Sequence, residues 1–138
     1  IEFSAQAVRE LKVICSAVTE ILDLAVKAFA EQDLYSAYLV EPLEEVVDQL
    51  QTKLKSRHVK RLQKGMCTIE LGFIFTDLLT NLERVSDHCS NIAVCLIQVN
   101  DDNFETHEYL RTVKTSGEAF DSEVEKYQQM FALPKKDF

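Results

Sequence analysis

Four carboxylates in this chain stand at spacings suited to holding a cation. Glu83 and Asp87 lie four residues apart in "NLERVSDHCSNIA" (81–93), a stretch whose apolar residues recur at helical spacing. Glu44 and Asp48 repeat the same E-x-x-x-D spacing in "EPLEEVVDQL" (41–50). Residues four apart sit one above the other on a helix, so each pair shares a face. Spacing alone is weak evidence, because Glu41/Glu45 and Asp121/Glu125 share it and a solvated acidic face is the simpler account of such pairs. Their level in the fold says more. If the two helices are antiparallel and turn near Gly65, Asp48 and Glu83 lie 17 and 18 residues from the turn, and Glu44 and Asp87 lie 21 and 22. At about 1.5 Å per residue the mismatch is smaller than a side chain. Four carboxylates at matched heights repel unless protons or cations intervene, and hard or borderline metal ions with oxygen ligands meet that demand.

Other chemistries find less support. A carboxylate-bridged di-iron centre of the ferritin type uses Glu-x-x-His on two helices. Here Val85 stands three residues before His88, Lys55 before His58 and Phe104 before His107, so that signature is absent. His88 points about 100° away from Asp87 on a helix and is expected as a half-buried structural histidine, paired with Arg84 or a backbone group. Asn91 continues the 83–87 stripe, either hydrogen-bonding the site or facing water. Ser86 and Ser90 have no base-and-orienter arrangement, and there is no Gly-rich phosphate loop. The cluster Lys53, Lys55, Arg57, Lys60, Arg61 and Lys64 offsets the dipole at a helix C-terminus; contact with an anionic membrane surface or an acidic partner is the sharper alternative.

The elements that must carry these residues are helices. The chain has 138 residues, only three Gly and two Pro, and a net charge of −8. That composition points to an all-α domain, and the acidity argues against nucleic acid as a partner, since phosphate binding needs a basic footprint. Four helices are predicted, forming an up-down antiparallel bundle of three long helices plus a C-terminal fourth. The first covers 4–30, with Leu11, Cys15, Val18, Leu22, Ala25 and Phe29 as one stripe and Ala7, Ile14, Ile21 and Ala28 as a second. The next runs from about 34 to 63, with Pro42 either ending a short helix near Val40 or kinking a longer one, and Gly65 as the C-terminal cap. The third carries a seam of Leu71, Phe75, Leu78, Leu82, Val85, Cys89, Ile92, Leu96 and Val99. The fourth is predicted from about 104, after a turn at 100–103, with Leu110, Val113, Phe120, Val124, Tyr127 and Phe131 inward.

Cys15, Cys67, Cys89 and Cys95 form no C-x-x-C pair; Cys15 and Cys89 fall on apolar helical positions, and a reducing compartment is the simplest reading. No apolar run approaches the roughly 18 residues needed to cross a bilayer. The chain begins with Ile1 and is expected to be a single domain, 1–138, cut from a longer membrane protein.

The segment "LERVSDHCSNIA" (82–93) resembles the E-R-x-x-D-H-x-x-N-I-A motif of PhoU-type phosphate regulators, and "EPLEEVVDQL" resembles that family's other acidic helix segment. The resemblance covers roughly residues 5–100. It implies a three-helix bundle that binds metal clusters through acidic motifs on its second and third helices, with Glu44, Asp48, Glu83 and Asp87 as ligands to divalent or ferric ions (iron, zinc or magnesium). Stand-alone members of this kind resemble tandem bundles. A single bundle with an added helix looks more like the cytosolic C-terminal domain of bacterial sodium/phosphate cotransporter-family proteins. The expectation is therefore a non-enzymatic regulatory domain at the cytoplasmic face of the membrane, partnered with the transporter portion of the same protein or another phosphate transporter. The alternatives are a soluble adaptor repressing phosphate uptake and signalling, and a carboxylate-bridged metalloenzyme. A homodimer is expected if a neighbour completes the metal shell.

Overall fold

The computed structural model describes residues 3–100 and 117–136. Within them the chain forms helices α1 (Ala5–Glu31), α2 (Leu34–Gln63), α3 (Ile69–Val99) and α4 (Gly117–Met130), with no strand among the described residues. The helix starts follow from their caps. Ser4 accepts a hydrogen bond from the Ala7 N–H, Asp33 accepts from Tyr35 and Ser36, and Thr68 accepts from Leu71. Each side chain satisfies amides that the first helical turn cannot. At the end of α2 the Gly65 N–H donates to the Leu62 carbonyl and the Met66 N–H to that of Arg61. This is the Schellman arrangement, and Gly65 supplies the positive φ of 70° that it requires. The two short connections, 32–33 and 64–68, make α1, α2 and α3 antiparallel neighbours in sequence, so α1 and α3 run parallel.

Pro42 does not end a helix. It sits buried inside α2, which runs unbroken through it. Proline removes one donor to the carbonyl four residues earlier, and the burial of Val40, Leu43, Val46 and Val47 around it holds the helix together there.

The core lies where α1, α2 and α3 meet, filled by fully buried Ile14, Ile21, Val40, Leu43, Leu54, Phe75 and Leu79. Fully burying each such side chain is worth about 1.5–3 kcal/mol. Two predicted seams are corrected here. On α1 the second stripe, Ala7, Ile14, Ile21 and Ala28, is the core stripe, while Cys15, Leu22 and Phe29 are exposed. On α3 Phe75, Cys89 and Leu96 are buried and Leu82 partly so, but Leu78, Val85, Ile92 and Val99 are exposed. Their places in the core go to Gly72, Leu79, Ser86 and Ala93. At Gly72 the reason is close approach: a Cβ added there would stand 2.9 Å from His58 Nε2.

Helix α4 packs on α2 and runs parallel to it. Gln128 donates to Gln49, and beyond the helix Arg57 donates to the Pro134 carbonyl. Tyr127 is buried, Val124 and Phe131 are partly buried, and Phe120 is exposed, against expectation, near the start of the helix. The predicted beginning of this helix, with Leu110 and Val113, and most of the turn at 100–103 lie outside the described residues. None of the described helices is long and apolar enough to cross a membrane.

Candidate metal centre between α2 and α3

The antiparallel pairing of α2 and α3 sets two acidic edges against each other. Hydrogen bonds fix the register at both ends of the stretch: Ser90 Oγ donates to Glu41 Oε1 at 2.5 Å, and Gln51 Nε2 donates to Glu83 Oε2. Between these levels Glu44 and Asp48 on α2 and Asp87 on α3 converge, each offering one oxygen within 4.8 Å of the others. Glu44 and Asp48 are partly buried, and Asp87 is exposed. Three of the four carboxylates singled out in the sequence thus form one cluster. The fourth, Glu83, lies outside it, with Gln51 as its partner, although its charge still acts on Asp48.

The electrostatics follow from this crowding. Burial, a hydrogen bond shared with Asp48 and the charges of Asp48, Glu41 and Asp87 push the Glu44 carboxyl up to about 8. Asp48 is also raised, first by burial and then by Glu83, Asp87 and Glu45, with its hydrogen bond to Glu44 opposing. Asp48 Oδ1 is buried without a hydrogen-bond partner, a position that costs free energy in a folded protein. An all-oxygen donor set, a proton held near neutral pH and an orphaned carboxylate oxygen together fit a hard or borderline cation. Glu44, Asp48 and Asp87 would hold it, and waters would complete its shell.

Glu41, Gln51 and Ser90 were missed in the sequence reading. The signal for them was there: Glu41, Glu44, Asp48 and Gln51 step by three, four and three residues, as do Glu83, Asp87 and Ser90 by four and three. His88 is exposed rather than half-buried, and with exposed Asn91 it lines a groove between α1 and α3. The basic cluster has a second role besides the helix dipole. Arg57 and Arg61 both reach 2.7 Å from the carboxylate of Glu10, which is fully buried. That clasp joins α1 to the end of α2, and Gln6 extends it by donating to the Lys135 carbonyl.

With this geometry in view, the relationships of the chain are informative. A model of the PhoU domain matches residues 11–96, more than half of the sequence, and the chain belongs to the PhoU domain family. A similar curated protein is the phosphate-specific transport system accessory protein PhoU homolog 1 of Thermotoga maritima. It is 28% identical over 117 residues, which make up 85% of this chain and 50% of the relative. The chain therefore spans about half the length of that relative. No solved structure matches it.

Proposed function

We propose that this domain is a metal-binding regulatory module in the control of phosphate uptake, working as an accessory adaptor to a phosphate transport system at the cytoplasmic face of the membrane. The observation that carries the reading is the convergence of Glu44, Asp48 and Asp87 across α2 and α3, with the buried Asp48 Oδ1 unpartnered, in a chain of the PhoU domain family. A bound divalent or ferric ion supplies positive charge between the two helices. Glu83 stands one turn away on α3 and joins the shell when Gln51 releases it. In this reading the residues themselves hold the ion and cross-link α2 to α3, a role in regulation rather than catalysis. Metal shifts the bundle between arrangements only by its differential affinity for them, and the α2–α3 register is the element it biases.

The narrower reading, a cytosolic domain of a sodium/phosphate cotransporter-like protein, rests on the single bundle with its added α4. The Thermotoga relative is an accessory protein by name, which favours the adaptor. Hydrophobic spans encoded upstream of Ile1 would restore the narrower reading.

The test pairs metal content with uptake. Wild type and the double variant Asp48→Asn with Asp87→Asn are analysed for bound metal, and phosphate uptake is measured in cells carrying each. Loss of metal together with altered uptake is expected. Equal metal content in both proteins removes the site, whereas metal loss with unchanged uptake leaves the site and removes the regulatory role.

A further inference from the structure

Charge is spread unevenly over this acidic chain. Between Asp48 and Asp77 stand six cations, Lys53, Lys55, Arg57, Lys60, Arg61 and Lys64, against one carboxylate, Glu70. Arg57 and Arg61 are engaged by buried Glu10. Lys53, Arg57, Lys60 and Lys64 recur at steps of four, three and four, which places them on one face of α2, and the three lysines are exposed. The fold brings two further cations to that face. Arg57 donates to the Pro134 carbonyl and Gln6 to that of Lys135, both at 2.7 Å. The segment after α4 is thereby tied across the end of α2, with Lys135 and Lys136 exposed. The charge of Lys60, and after it that of Arg57, pushes the Lys136 ammonium below its ordinary range. Among the described residues no carboxylate pairs with Lys60, Lys135 or Lys136.

The same end of the bundle exposes apolar side chains. Met66, in the α2–α3 turn, is 46% exposed, and Ile69 and Phe73, four apart at the start of α3, are 69% and 70% exposed. In the register fixed by the Glu41–Ser90 and Gln51–Glu83 hydrogen bonds, Phe73 stands level with the 58–61 turn of α2. Apolar and basic residues therefore share one height. A free anion would need only the cations. Exposed apolar residues beside cations match a lipid surface, where ammonium groups meet headgroup phosphates and apolar side chains enter the acyl boundary. We propose that this end of the bundle is a docking surface for an anionic membrane. The net charge of −8 does not forbid it. Asp48, the member of the acidic cluster nearest this end, lies twelve residues from Lys60, about 18 Å along the helix. Charges are screened over about 8 Å at physiological ionic strength, so the basic end meets an anionic leaflet largely shielded from the cluster. The proposal agrees with a place at the cytoplasmic face of the membrane but does not rest on the metal centre.

Vesicle co-sedimentation of the full chain, kept in chelator, tests this. The chain should bind vesicles of equal parts phosphatidylcholine and phosphatidylglycerol, ignore phosphatidylcholine alone, and be released as salt rises. Each lysine near an anionic leaflet strengthens binding about five-fold. The variant Lys60→Gln with Lys135→Gln and Lys136→Gln should therefore bind roughly 100-fold more weakly, with unchanged helical circular dichroism. Should that variant lose helicity, Lys60→Gln alone is read in its place, at about five-fold weaker binding. Ile69→Ser with Phe73→Ser should weaken binding while keeping its salt dependence. Inorganic phosphate at matched ionic strength should leave the chain on the vesicles; displacement by it would assign the cations to a free anion and overturn the proposal. No vesicle binding at all, as for a surface that meets an acidic protein instead, overturns it too. So do equal binding to both kinds of vesicle and variants that bind like wild type. Neither metal content nor phosphate uptake enters the readout, so this proposal can fail with the regulatory reading intact.

Discussion

Glu44 shows how a single residue reports the state of the α2–α3 edge. Asp48 and Glu41 on its own helix and Asp87 on α3 surround it, and burial adds to their charges, so its carboxyl keeps a proton up to about pH 8. In an unfolded chain the same group ionises near 4.3. The folded, metal-free protein therefore binds this proton more tightly than the unfolded chain does, and stability falls as pH rises from about 4.5 to 8, with the full loss present above that. Asp48, also raised, acts in the same direction. Buried His58 works oppositely: burial and Arg61 lower it below its ordinary 6.5, so its contribution is lost only as pH falls through that region. Between pH 6.5 and 8, then, the midpoint of thermal unfolding of chelated wild type should drop, and Glu44→Gln should flatten the slope. Equal slopes in the two proteins would contradict this account of the site. The pairing of Glu44 with Asp87 was legible because helix period and antiparallel register are both written in the sequence. The diversion of Glu83 to Gln51 was not, because which of two neighbouring acceptors an amide chooses depends on side-chain geometry that spacing does not carry.

At the scale of the element, α3 was read correctly as a long amphipathic helix but with its core face displaced. Apolar residues occupy more than one face of it, and hydrophobicity ranks Leu78 or Ile92 above Gly72, Ser86 and Ala93. Packing reverses that ranking, most plainly at Gly72, where an added Cβ would stand 2.9 Å from His58 Nε2. The same inversion on α1 sends Ala7, Ala17, Ala25 and Ala28 inward and leaves Leu22 and Phe29 outside. A pair of truncations distinguishes the two faces. Leu79→Ala, at a position with no exposure, should cost about 2–5 kcal/mol in denaturant unfolding. Ile92→Ala, at 43% exposure, should cost well under half as much when measured on dilute protein. Comparable losses would mean that the exposed ledge of α3 is packed within the single chain. Pro42 was ambiguous in sequence for a related reason: proline states the loss of a donor, and only the surrounding burial decides whether the helix survives it.

The whole molecule joins an acidic edge, an apolar edge and a buried clasp around one core. Glu10, Arg57 and Arg61 hold α1 to the end of α2, and breaking a buried pair of this kind typically costs several kcal/mol because a charge is left alone. That clasp was invisible in sequence, where Glu10 reads as one more surface carboxylate and the arginines as part of a basic run. Around this frame, the proposed function makes the α2–α3 edge the part that responds, with an ion replacing a proton as its first step. Calorimetric titration of chelator-stripped protein at pH 7 with magnesium and then zinc, repeated in two buffers of different protonation enthalpy, tests that step. Wild type should bind with an apparent heat that differs between the buffers, because Glu44 gives up its proton to the solution. Glu44→Gln should bind more weakly with heats that agree, and Asp48→Asn with Asp87→Asn should not bind. Binding that is unchanged in the double variant, or wild-type heats identical in both buffers, would contradict a metal centre at Glu44, Asp48 and Asp87.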